Sequence, residues 1–148
     1  MCYGWKAGPS AAGANDAGVP DTVMPKKLVI LLVNTDPERS IELGAPLFQA
    51  AAAASMDYAV DVICAGASGA LMKKGVADGI FIKPESGRTV GDFIRMSHKA
   101  GARFLMCAST FELYSFTEAD LIPECDGVTA VTEYVAEMLD DECRILTY

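Results

Sequence analysis

The chain has one histidine, His98, among its 148 residues. A Ser/His/Asp set therefore has one candidate base. No Cys-x-x-Cys occurs either, and with so few metal-binding nitrogens a structural zinc site is not expected. Basic residues are scarce: 12 Lys and Arg stand against 20 Asp and Glu, for a net charge of −8. That balance argues against a nucleic-acid surface, which needs a basic patch. No apolar run reaches the roughly 18 residues of a membrane span. The runs at 28–33 and 50–54 are too short. G-x-G-x-x-G, P-loop and G-x-S-x-G motifs are all missing. The loop NTDPERS, with a proline and two acids, is also unsuited to flavodoxin-type phosphate binding. No cofactor is expected.

The first 25 residues, rich in Ala, Gly and Pro, show no period. They lack the basic start and long apolar centre of a signal peptide, so they read as an N-terminal arm. Residues 26–148 read as one α/β domain. The five cysteines (Cys2, Cys64, Cys107, Cys125, Cys143) are odd in number, and reduced thiols in the cytoplasm are the expectation.

Beyond the arm, strand and helix patterns alternate. LVILLV (28–33) is a continuous apolar run, as expected of a strand covered on both faces. Asp36, Pro37 and Glu38 look like the cap and first turn of a helix running to Met56. Further strands are expected at 58–65, 103–107, 128–130 and 144–148, with a short extra one at 80–82. Helices are expected at 68–74, 90–100, 109–116 and 131–140. Apolar residues at 131, 134, 135, 138 and 139 give the last helix a clear 3.6-residue period. Strands separated by helices imply crossovers, and hence a three-layer α/β/α, flavodoxin-like domain with a mostly parallel sheet of five strands. Ligands bind such sheets at the carboxyl strand ends, which places the loops after Val33, Ala65 and Cys107 on one edge.

Cys107 ends the run FLMC and precedes AST. At a strand-to-helix junction the free N–H groups of the first turn favour an anion, and a thiol there becomes a better nucleophile. Buried packing is the competing reading, since cysteine is among the most buried residues. The remaining candidates have bland explanations: Cys64 packs, Asp36 caps a turn, and Lys73 and Lys74 end an exposed helix. Cys143 follows three acids. Cys125 is a candidate resolving thiol. His98 lies upstream of the Cys107 strand, nearer its start than its reactive end.

From Lys27 to Tyr148 the chain resembles the DsrE/DsrF-like family, which includes the TusD and YchN proteins. The match rests on KLVILLVNTDPERS, GALMKKGVADGI, FLMCAS, EADLIPECDGV and RILTY, in that order. The resemblance implies a flavodoxin-like domain that forms homo-oligomers or related hetero-oligomers. In sulfur-relay members a cysteine at this strand end carries a persulfide, and Cys107 falls on that position. Some relatives have a second cysteine three residues later, where this chain has Thr110. The family often has Arg-Gly further on, where this chain has Tyr114-Ser115.

Three functions follow as expectations. The first is a sulfur carrier of sulfurtransferase type, with Cys107 catalytic and with donor and acceptor proteins as partners. The second is a non-catalytic oligomeric binding or scaffold protein with Cys107 as packing. The third is a thiol redox sensor pairing Cys107 with Cys125. The aromatic segment Phe111, Tyr114 and Phe116 is expected to be core or oligomer interface.

Overall fold

The computed structural model describes residues 26–33, 35–37 and 39–148. The arm, with Cys2, Tyr3 and Trp5, lies outside the described residues, as do Asn34 and Glu38. Five parallel strands form the main sheet: β1 (Lys27–Leu32), β2 (Ala59–Cys64), β5 (Arg103–Cys107), β6 (Cys125–Thr129) and β7 (Cys143–Thr147). Their spatial order is β6-β5-β2-β1-β7. Two short strands, β3 (Phe81–Lys83) and β4 (Arg88–Thr89), pair antiparallel outside that sheet. They turn through Gly87, whose φ of 64° suits glycine.

The helices are α1 (Gly44–Ser55), α2 (Val90–Lys99), α3 (Ala108–Leu113) and α4 (Val131–Met138). The expected single helix from Asp36 to Met56 is broken. Residues Ser40–Leu43 form a 3-10 turn, and the α-helix starts at Gly44. Pro46 explains the break. It has no N–H to donate to residue 42, and its ring would clash there, so it is tolerated only in a first turn. Asp36 is not the helix cap; its carbonyl accepts the Arg39 N–H at 2.9 Å. The segment expected as a helix at 68–74 is 3-10 over Gly66–Met72. α2 starts as its sequence dictates: Thr89 Oγ1 accepts the Asp92 N–H at 3.2 Å, and Asp92 accepts the Thr89 N–H at 2.9 Å.

Side-chain alternation divides the sheet into two unequal faces. Ile30, Leu32, Val60, Val62, Phe104 and Met106 point to one, where Leu43, Leu47, Ala50, Val90 and Ile94 cover them. Val29, Leu31, Ile63, Leu105 and Ile145 point to the other, and the helical residue packed there is Tyr134 of α4. No residue of α4 is buried, and Val131, Val135 and Leu139 are exposed. No helix among the described residues is long and apolar enough to cross a membrane.

The thinner face begins with an ion cluster. Asp61, 3 % exposed at its side chain, accepts two 2.7 Å bonds from Arg103 and one of 2.7 Å from Lys27. Lys27 also reaches Glu137 of α4 at 2.6 Å. Burial pushes the Asp61 carboxyl up, but bonds from Arg103 and Lys27 outweigh it and hold the carboxyl below its ordinary value. Asp61→Ala leaves partly buried Lys27 with Glu137 alone and takes the carboxylate from Arg103. Chemical denaturation should show a loss of about 2–4 kcal/mol, moderated because Arg103 is exposed. Because the folded carboxyl titrates low, its contribution is complete above the ordinary carboxylate range. It fades as the pH falls below that range and through the lower folded value, a fading that the alanine variant should lack.

Candidate functional site

Three strands end on one edge, and hydroxyls tie them together. Buried Ser68 donates toward the Leu32 carbonyl at 2.6 Å and the Ala65 carbonyl at 2.8 Å, sharing one hydrogen between them. Its oxygen accepts the Ala65 N–H at 3.1 Å. Gly66, at φ 55°, donates its N–H to Thr110 Oγ1 at 2.9 Å. The ends of β1, β2 and β5 are thereby joined through Ser68 and Thr110. Thr110 is a buried strut between α3 and the segment after β2.

Cys107 is the last residue of β5 and the N-cap of α3. Strand alternation from Met106 turns its side chain to the α4 face. Ser109 Oγ lies 3.1 Å from Sγ, and the Tyr134 hydroxyl lies 3.9 Å away. The amides of Ser109 and Thr110 face the sulfur without closing a formal cap. The residue is 2 % exposed. Burial pushes the thiol up, but the Ser109 hydroxyl, the Thr110 and Ser109 amides and Tyr134 together bring it below the ordinary thiol value. Tyr134 responds in reverse: burial and its bond to the sulfur raise its own pKa.

Burial governs the other described cysteines. It pushes Cys64 up to about 12, and it also raises Cys125 and Cys143. Cys125 packs against the thicker face and pairs in register with Phe104, at the far end of β5 from Cys107. The two thiols lie on opposite faces, so the expected redox pair is not brought together. His98 Nε2 lies 3.1 Å from Asp126 Oδ1. Asp126 Oδ2 accepts the Phe104 N–H at 2.8 Å, so this pair sits at the start of β5. Three residues of strand, about 10 Å, separate it from Cys107. Lys74 donates to the Ala119 carbonyl at 2.6 Å, and Lys73 sits 5.5 Å over the Phe116 ring, so neither serves the sulfur. Phe111 and Phe116 pack partly on the core, whereas Tyr114 is exposed and stacks on Phe116 at 5.2 Å.

Tyr134 is the site residue that sequence reasoning missed. The period of α4 put it on the apolar stripe, and only the register of Cys107 with Thr129, just before α4, brings it to the sulfur.

No family model matches the chain, and neither does any curated protein. Among solved structures, the chain is similar to the protein of unknown function MTH1491 from Methanobacterium thermoautotrophicum. Identity is 14 %, the TM-score is 0.58, and the match covers 82 % of this chain and 98 % of that one. The likeness extends to the fold.

The loop tie gives a test. A Cβ on Gly69 would collide with the Thr110 methyl group and approach Met106 Cε at 3.2 Å. Gly69→Ala should therefore destabilise the protein by about 1–3 kcal/mol. Adding Thr110→Ser, which removes that methyl and keeps the hydroxyl bond to Gly66, should recover most of the loss in a double-mutant cycle.

Proposed function

We propose that the protein is a sulfur carrier of sulfurtransferase type, with Cys107 as its persulfide-bearing residue. The observation that carries this reading is the contrast among the described cysteines. Burial raises three of them, while Cys107, also buried, has donors that lower it. A packing cysteine needs no such donors.

The transfer balances without a redox partner. The Cys107 thiolate attacks the terminal sulfur of a donor persulfide, R–S–SH. A sulfur–sulfur bond forms at Cys107, the donor's bond breaks, and R–S⁻ leaves with the electron pair. An acceptor thiolate then takes the terminal sulfur in the same way and regenerates the Cys107 thiolate. The hydrogen bonds that stabilise the thiolate form of Cys107 also make it a better leaving group in this second step. No metal or cofactor enters.

The resemblance to the DsrE/DsrF-like family supports the assignment, together with cytoplasmic location and partner proteins as donor and acceptor. Exposed Leu113, Val131, Val135 and Leu139, on the two helices beside the cysteine, support homo-oligomer formation or partner docking.

One observation favours the second reading, a non-catalytic scaffold. At 2 % exposure Cys107 is covered in the single chain, and a carrier has to uncover its sulfur on docking. Intact-mass and peptide mass spectrometry after incubation with a persulfide donor separates the two. The carrier reading expects Cys107 to gain one sulfur atom, Cys107→Ser to gain none, and Ser109→Ala to gain it several-fold more slowly. A folded protein whose Cys107 peptide gains no sulfur supports the scaffold reading.

A further inference from the structure

Cys107 is covered in this fold, and the element that covers it is lightly held. Tyr134 of α4 reaches the sulfur, its hydroxyl 3.9 Å from Sγ. No residue of α4 is buried. Its packing on the sheet runs through the half-buried Tyr134 ring, which rests against the cluster of Val29, Ile63 and Cys143.

The two halves of α4 are held differently. At its start, Glu133 accepts the Thr129 hydroxyl at 2.9 Å and the Ala130 N–H at 3.0 Å, which caps the first turn onto the end of β6. Glu137, three residues after Tyr134 and on the same side of the helix, meets Lys27 Nζ at 2.6 Å. It is the one polar side chain in Val135–Met138. That pair is easily released. Lys27 also holds Asp61 at 2.7 Å, so it keeps a carboxylate when Glu137 leaves. The Glu137 side chain is 38 % exposed, so water solvates it at once. Ion pairs that solvent reaches hold weakly and are screened by salt. The pair lies at the start of β1 and the sulfur at the end of β5, and α4 links the two places.

We propose that α4 is a lid on Cys107, latched by the Glu137–Lys27 ion pair and pivoting on its capped first turn. Release of the pair lets the second half of α4 lift and draws Tyr134 off the sulfur, so access to Cys107 depends on ionic strength. That the opening admits a sulfur donor and acceptor rests on the carrier reading; the motion itself does not.

The test alkylates the native full chain with iodoacetamide, an uncharged reagent, above the Cys107 titration midpoint, and follows each cysteine by its peptide. Glu137→Gln should speed Cys107 about two- to fivefold and leave buried Cys64 unchanged. Glu85→Gln, at an exposed position in the β3–β4 turn, should change neither. Raising the ionic strength from about 0.05 M to about 0.5 M should speed Cys107 in the unaltered chain and leave Glu137→Gln at its raised rate. Hydrogen exchange should show the amides of 135–138 loosened in Glu137→Gln while those of α2 hold. Three results would overturn the lid. The first is a Cys107 rate that neither Glu137→Gln nor salt alters. The second is Cys64 accelerating in step with Cys107, which is global opening. The third is Glu85→Gln matching Glu137→Gln, which is a general charge effect. The carrier reading is decided separately: a Cys107 that alkylates faster in Glu137→Gln yet gains no sulfur from a persulfide donor upholds the lid and removes the carrier.

Discussion

The reversal of chain direction after β6 is the constraint on which the rest of the molecule depends. From β1 through β2 and β5 to β6, the chain adds strands in one direction across the sheet. Crossovers of one hand then put α1, α2 and α3 on the same face. The last crossover runs back to place β7 beside β1, and it brings α4 to the other face. One side of the sheet gains a thick apolar core. Among the described residues, the other is served by a single eight-residue helix with no buried residue. Cys107 turns toward that thinner side, under Tyr134. The same strand order leaves β7 as an edge beside β1.

Burial alone makes a thiol harder to ionise, and Cys64 shows how far that goes. Cys107 is nearly as buried, yet its pKa shifts the other way because its strand ends where a helix begins. The turn points two amides and a hydroxyl at the sulfur, and α4 adds a phenol. Such an arrangement needs the loops around it held in place. The Thr110 bond to Gly66 and the Ser68 bonds to Leu32 and Ala65 supply that rigidity. Thr110 thus provides positional control beside the sulfur.

Much of this was legible in the sequence. Continuous apolar runs marked β1, β2 and β5, and the Cys107 junction followed from a strand pattern meeting three small residues. Other features depend on long-range pairing. Asp61 looks out of place inside AVDVIC. Its role becomes visible only when register sets it opposite Arg103 on one side and two residues along from Lys27 on the other, the first residues of the flanking strands. Pro46 is a local signal, and it sets the start of α1 at Gly44. The apolar period of α4 correctly gave a helix. It could not show that the sheet buries little of that stripe, because burial depends on what packs against the helix. Tyr134 comes to Cys107 through a parallel strand pairing, which no spacing in the sequence reveals.

The state of the Cys107 sulfur tests the central claim most directly. Alkylation of the native protein across a pH series, followed peptide by peptide, reads the ionisation of each thiol separately. The account predicts that Cys107 reacts with a midpoint below that of an ordinary thiol and below those of Cys64, Cys125 and Cys143. A midpoint at or above the ordinary thiol value, or no reaction of Cys107 at any pH where the fold persists, would contradict it.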